Sequence, residues 1–264
     1  MKMTVPKFAS MKSKEKITMI TAYDYTQAKI ADEAGIDSIL VGDSLSMVVQ
    51  GNNSTLPVSL DEMIYHGKIV KKGVSNALLI VDMPFMSYQA STEKALENAG
   101  RMMKETLCDC VKLEGGEEFA QTVFKLVSSG IPVIGHLGLT PQSINIFGSY
   151  SVRAKTEEQA QKLINDAISL EQAGAFAIVL EAIPLNLAKE ITQKLKIPTI
   201  GIGAGLYCDG QVLVFHDMLG LFDDFKPKFV KRYASLKQDA LKGIKDYIKE
   251  VKNNEFPTLE YSYE

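Results

Sequence analysis

The sequence predicts an α/β protein: a (β/α)8 barrel of the TIM type, one domain over residues 1–264, with a long C-terminal helix and a short tail. Three observations predict it. Eight short β-rich runs alternate with helical patterns. Most of those runs are continuously apolar, as strands buried on both faces of a parallel sheet are. The chain has 264 residues, 46% of them apolar, and no linker, repeat or low-complexity tract divides it. That suits one barrel of roughly 250 residues. The alternative is an open doubly wound sheet.

The strands are expected, in order, at Ile17–Thr21, Ser38–Val41, Leu78–Val81, Cys110–Leu113, Pro132–Gly135, Ala177–Leu180, Pro198–Ile202 and Val212–Phe215. Between the last two there is room only for a turn or a short helix. Ser59 with Glu62 forms a capping box, followed by Leu60, Met63, Ile64 and Gly67 on one face. Ala95, Leu96, Ala99, Met102, Met103 and Thr106 make a second helical stripe. Thr156 with Gln159 opens another helix, and Gly174 stands where a C-terminal cap glycine would. Phe229–Val251 reads as a Lys-rich amphipathic helix, and the last ten residues or so as a loosely held, extended tail.

Composition removes several classes of function. Lys and Arg total 29 against 32 Asp and Glu, a formal charge of −3, without the basic footprint of a nucleic-acid binder. No apolar run reaches the roughly 18 residues that would span a bilayer. The N-terminal segment is basic and polar, with no signal-peptide core. Three cysteines argue against a disulfide framework. Cys108 and Cys110 lack a second pair, so they fit a helix-to-strand junction better than a zinc site. The chain reads as cytoplasmic, with small-molecule partners.

The ends of the strands carry the chemistry. Asp43, Asp82, Glu114, His136 and Glu181 each directly follow an apolar run. In a barrel these tips converge on the C-terminal face, where active sites are built. A polar residue at one strand end needs no function, because the chain is leaving the core there. Four carboxylates together need a cation or a shared proton. Oxygen donors without Cys or clustered His point to Mg2+ or a similar hard ion. Lys112 and Glu114 are two apart on one strand and face the same side. Lys112 is open to three readings: a structural partner of Glu114, a cation for an anionic substrate, or a Schiff-base lysine. His136, in Gly-His-Leu-Gly-Leu-Thr-Pro, shares the rim with the acids. The run Gly201–Gly205 lacks dinucleotide spacing and reads as a tight turn. Met47, Phe85, Met86 and Tyr88 could line an apolar pocket or simply pack.

At these residues the chain resembles the ketopantoate (3-methyl-2-oxobutanoate) hydroxymethyltransferase family. The resemblance lies in Ile20–Asp24, Val41–Ser44 through Val58, Leu60–His66, Asp82–Phe85, Val111–Gly116, Gly135–Gln142, Leu180–Pro184, Gly201–Gly205, Cys208–Leu213 and His216–Gly220. It implies a (β/α)8 barrel, Mg2+ dependence and 5,10-methylenetetrahydrofolate as one-carbon donor. It also implies 3-methyl-2-oxobutanoate as acceptor, 2-dehydropantoate as product, a first step of pantothenate and coenzyme A synthesis, and a cytoplasmic homo-oligomer, often a decamer. Carried over by position, Asp43 and Asp82 would hold the metal, with Glu114 associated directly or through water. Asp43, Ser44, Asp82 and Lys112 would contact the 2-oxo acid, His136 would lie beside it, and Glu181 would accept the proton. Ser46 and Ser149 stand where the family favours glycine, and the loop Ser151–Lys155 differs, which bears on folate contacts. Two rival classes remain from the sequence. Lyases and mutases of the phosphoenolpyruvate mutase group share a Gly-Asp-Ser segment, but the lyases use a Cys-Gly-His loop that this chain lacks. A non-catalytic barrel would have no reason to keep acids on separate strand tips.

Overall fold

The computed structural model describes residues 2–222 and 227–264. They fall into two compact units, Met1–Phe215 and His216–Glu264. The first unit holds the eight strands: β1 (Ile17–Thr21), β2 (Ser38–Val41), β3 (Leu78–Asp82), β4 (Cys110–Glu114), β5 (Val133–Gly138), β6 (Ala177–Glu181), β7 (Thr199–Ile202) and β8 (Gly210–Leu213). All pair in parallel with their sequence neighbours, and β8 pairs with β1 to close the barrel. This excludes the open sheet. Expected and observed strands coincide within three residues at each end. β5 runs on to Gly138, so His136 lies inside a strand, and β8 starts at Gly210, which pairs with both Ile17 and Ile200.

The helices of this unit are α1 (Val5–Ser10), α2 (Tyr25–Glu33), α3 (Leu45–Val48), α4 (Leu60–Gly73), α5 (Thr92–Thr106), α6 (Ala120–Ser128), α7 (Ile144–Phe147), α8 (Glu157–Gln172) and α9 (Leu185–Lys194). Among them α2, α4, α5, α6, α8 and α9 stand side by side around the barrel. A turn alone joins β7 to β8, one of the two links the spacing allowed. Both capping boxes form, Ser59 with Glu62 on α4 and Thr156 with Gln159 on α8, each satisfying free N–H groups at the helix start. All three cysteines are free and buried; Cys108 lies between α5 and β4, and Cys110 is the first residue of β4.

Alternate strand residues fill the barrel. Met19, Leu40, Ile80, Cys110, Ile134, Val179, Ile200 and Val212 belong to one buried cluster. The N-terminal mouth is plugged by Met3, Phe8 and Met11 around α1, with the Phe8 ring edge-on to Phe176 at 5.8 Å. The period of two then dictates what lies at the other mouth. Two residues beyond Ile80 is Asp82. Beyond Cys110 come Lys112 and Glu114, beyond Ile134 is His136, and beyond Val179 is Glu181.

The second unit begins in the short helix α10 (Phe215–Met218) and ends with α11 (Leu236–Lys252) and a 3-10 turn at Leu259–Tyr261. The helix expected from Phe229 starts seven residues later. The N–H groups of Tyr233, Leu236 and Lys237 bond to the carbonyls of Met218, Leu219 and Gly220, so they do not extend a helical ladder. The tail is not extended throughout. Phe256 packs against Tyr247 and Tyr261 at 5.8 and 5.5 Å, which turns the last residues back toward α11.

Candidate active site

Five strand-borne side chains converge inside the C-terminal mouth: Asp82 (β3), Lys112 and Glu114 (β4), His136 (β5) and Glu181 (β6). Asp43 joins them from the turn after β2, where the Leu45 N–H bonds back to the Gly42 carbonyl. The backbone N–H of Asp43 lies 3.3 Å from Asp82 Oδ2. Ser44 Oγ is 2.8 Å from the Tyr23 hydroxyl.

Lys112 is the hub. Its Nζ is 2.9 Å from Asp82 Oδ2, 3.1 Å from His136 Nδ1 and 3.9 Å from Glu114 Oε1. Burial alone would depress its ammonium, but the charges of Asp82, Glu114 and Asp43 outweigh it and raise its pKa. A Schiff-base lysine must shed its proton to attack a carbonyl, so this environment opposes that reading. An ammonium only donates hydrogen bonds, so His136 Nδ1 is assigned as the lone-pair nitrogen and Nε2 as the protonated one. Burial and the Lys112 charge both lower the His136 pKa, which keeps the ring neutral. His136 Nε2 then faces Glu181 Oε2 at 3.2 Å, within ion-pair reach though outside hydrogen-bond alignment.

Glu181 differs from its neighbours in access. Its side chain is 16% exposed, against 4% for Lys112 and His136. Its backbone is tightly held: its carbonyl accepts from Leu139 N, and Ala182 follows in the left-handed region at φ 47°. Gly138, at φ 96°, lies so close that a Cβ there would sit 2.3 Å from the Glu181 carbonyl oxygen, so only glycine fits.

Two further residues complete the wall. Gln142 donates its amide to Asp43 Oδ2 and to the Met83 carbonyl, both at 3.0 Å, and its backbone N–H to Glu114 Oε2 at 3.0 Å. Tyr88, 1% exposed, bonds through its hydroxyl to the Glu114 carbonyl and to Gln142 Oε1. Sequence reasoning assigned no role to Gln142. The available signal was Thr140-Pro141-Gln142 just past a strand tip, where Pro141 opens a 3-10 turn that aims Gln142 inward. Tyr88 lines a cavity beside the cluster, one of the two places open to it from the sequence, and its hydroxyl also makes it a hydrogen-bonding strut. Asp209 lies at the other mouth, bonded to Lys12 and Thr199.

The site carries four carboxylates against one ammonium. Burial, then the charge of Glu114, pushes Asp43 up to about 6. Burial raises Glu114 to about 7 and Asp82 well above the usual carboxylate range. Asp82 Oδ1 is buried without a hydrogen-bond partner. A deficit of positive charge beside an orphaned carboxylate oxygen is what a hard cation would satisfy. Among the described residues no three His, Cys, Asp or Glu side chains are grouped as a metal site. A cation would therefore rest on Asp43 and Asp82 with oxygens from substrate or water, the usual coordination of magnesium. Glu114 faces His136 and Lys112 with Oε1 and the Gln142 N–H with Oε2.

The family model for ketopantoate hydroxymethyltransferase matches residues 2–259. A relative from Porphyromonas gingivalis, named 3-methyl-2-oxobutanoate hydroxymethyltransferase, is 55% identical over 263 residues, covering 99% of this chain and 96% of that one. One of the same name from Chlorobaculum tepidum is 56% identical, covering 98% and 96%. Among solved structures, a phosphonopyruvate hydrolase aligns with TM-score 0.66 at 14% identity, over 100% of this chain and 92% of that one. A 2,3-dimethylmalate lyase, described as a phosphoenolpyruvate mutase/isocitrate lyase superfamily member, aligns with TM-score 0.61 at 15% identity, over 97% and 89%. These two share the barrel fold. With a family model spanning nearly its whole length and full-length relatives above half identity, the chain belongs to the ketopantoate hydroxymethyltransferase family.

Proposed function

We propose that this protein transfers a hydroxymethyl group from 5,10-methylenetetrahydrofolate to 3-methyl-2-oxobutanoate, giving 2-dehydropantoate for pantothenate and coenzyme A synthesis. The observation that carries the reading is the convergence of Lys112, His136 and three buried carboxylates, Asp43, Asp82 and Glu114, beside one more accessible glutamate, Glu181. The hydrogen on C3 of a 2-oxo acid is acidic because the resulting anion delocalises onto the ketone oxygen. Glu181, the most accessible acid of the cluster, takes that proton, with His136 bracing its Oε2. The substrate carboxylate lies against Lys112 and Ser44. Asp43 and Asp82 fit a hard divalent cation such as Mg2+, which when bound supplies Lewis-acid stabilisation of negative charge on the ketone oxygen. C3 then bonds to the donor's methylene carbon, both carbon–nitrogen bonds that held that carbon break, one water supplies the hydroxyl oxygen, and the two donor nitrogens take up the proton removed from C3 and the remaining proton of the water.

The reading includes a cytoplasmic homodecamer. The exposed stripe Leu241, Ile244, Ile248 and Val251 on α11 supports self-association. The test is a product assay with 3-methyl-2-oxobutanoate, methylenetetrahydrofolate and Mg2+, beside deuterium exchange at C3 of the 2-oxo acid. Wild type should catalyse both, and Glu181→Gln should slow exchange by about 10²–10⁴-fold. Unchanged exchange in Glu181→Gln would remove Glu181 as the base.

A further inference from the structure

We propose that Gln142 is a positioning residue of the acid cluster: its amide, bonded at both ends, holds the Asp43 carboxylate ready for a divalent cation, while its backbone holds Glu114. This rests on the cation and the transfer reaction proposed above.

Elements from four neighbouring strands meet on this residue. Gln142 stands in the 3-10 turn Pro141–Ser143 that follows β5. Its backbone N–H donates to Glu114 Oε2, at the end of β4. Its side chain reaches further round the mouth. There it donates to the Met83 carbonyl, just after β3, and to Asp43 Oδ2, in the turn after β2.

The amide has no freedom left. An amide offers two N–H donors and an oxygen with two lone pairs. Nε2 donates to Met83 and Asp43, and Oε1 has Gln89 Nε2 and the Tyr88 hydroxyl each at 2.9 Å. A flipped amide would set its oxygen against the Met83 carbonyl and the Asp43 carboxylate, so these two acceptors fix which end is nitrogen. Tyr88 fastens the same assembly to β4. Its hydroxyl accepts from the Glu114 N–H at 3.0 Å and lies 2.9 Å from the Glu114 carbonyl. Met83, Tyr88 and Gln142 are all buried, where solvent does not make good a lost bond.

A side chain that only filled space would need none of these bonds. One of them ends on a carboxylate that the cation would use. Lys112 spends its short contacts on Asp82 and His136, and the Asp43 carboxylate takes its hydrogen bond from Gln142. That bond engages Oδ2 and leaves Oδ1 free of Gln142. A carboxylate already held by an outer hydrogen bond does not have to be ordered when a cation arrives. Removing such an outer partner typically costs about 10–100-fold in metal affinity or activity.

Electron paramagnetic resonance of free Mn2+, titrated into the full-length protein as a spectroscopic substitute for Mg2+, tests the assignment. Gln142→Met keeps the side-chain length and the backbone N–H but removes the amide. Its Kd for Mn2+ should rise about ten- to hundredfold. Gln142→Asn keeps an amide one methylene too short to bridge Met83 and Asp43, and should weaken Mn2+ as well. It serves as the second variant should the first not fold, with circular dichroism and the urea midpoint in EDTA as the folding controls. If the folded variants bind Mn2+ as wild type does, Gln142 only packs. The positioning role is then overturned, whatever stability they lose, while the transfer reaction stands. If wild type itself takes up no Mn2+, the cation reading fails and the positioning role falls with it.

Discussion

Lys112 Nζ lies 3.1 Å from His136 Nδ1, and this contact decides where the histidine carries its proton. With Nδ1 facing a donor-only ammonium, the ring presents Nε2–H toward Glu181. Nitrogen-15 NMR of the labelled protein should show His136 as the neutral Nε2–H tautomer near pH 7. If Glu181 is the base that we propose and His136 acts by positioning it, His136→Ala should lower kcat about ten- to hundredfold with little change in KM. His136→Gln keeps an amide donor there and should recover part of the loss. A large rise in KM with kcat preserved would instead mark a substrate contact.

Lys112 neutralises acids that have no water to fall back on. Lys112→Met leaves Asp82 and Glu114 buried without their cation and should cost about 3–5 kcal/mol of stability, read from the urea midpoint. The same ion pairing opposes imine formation, so borohydride with the 2-oxo acid should leave Lys112 unmodified.

The charge deficit at Asp43 and Asp82 should make the fold respond to metal. Saturating Mg2+ at about 100 times its Kd should add about 2.7 kcal/mol over the chelated protein, seen as a rise in Tm. Asp43→Asn should abolish most of that rise. Equal melting of wild type with Mg2+ and with EDTA would argue against a cation here.

Asp32 offers a pH dependence remote from the site. Burial opposes its charge, but N–H groups of Ala77 and Asn76 at 2.8 and 2.9 Å win, and its pKa lies below the ordinary value. A depressed carboxyl stabilises the fold fully above its unfolded pKa of about 3.9, and that stability is lost as pH falls through the lower folded value. Asp32→Asn should therefore cost about 1–3 kcal/mol at pH 7, and the gap from wild type should narrow as the pH is taken below about 4. Urea unfolding across that range measures it.

Local pattern explains how much of the site could be read in advance. Asp82, Lys112, Glu114, His136 and Glu181 follow from strand alternation, because a period of two carries the inward face from Ile80, Cys110, Ile134 and Val179 to the rim. Asp43 stands outside that register and depends on the turn after Gly42. The partners of Gln142 and Tyr88 were not legible, since each reaches the site from a loop whose path is set by packing. The start of α11 was misplaced for a related reason: an amphipathic stripe records which face is apolar, while backbone bonds to Met218, Leu219 and Gly220 decide where the helix begins.

By itself, the sequence determined the barrel, its strand order and the presence of acids at several strand tips, because burial on both faces and a fixed side-chain period are local constraints. Only the tertiary structure decided which partner each acid has. Closing β8 onto β1 brings strands distant in sequence around one mouth. There the low dielectric makes every neighbour count, so the roles of Lys112, His136 and Gln142 depend on distances of about 3 Å that no spacing along the chain encodes.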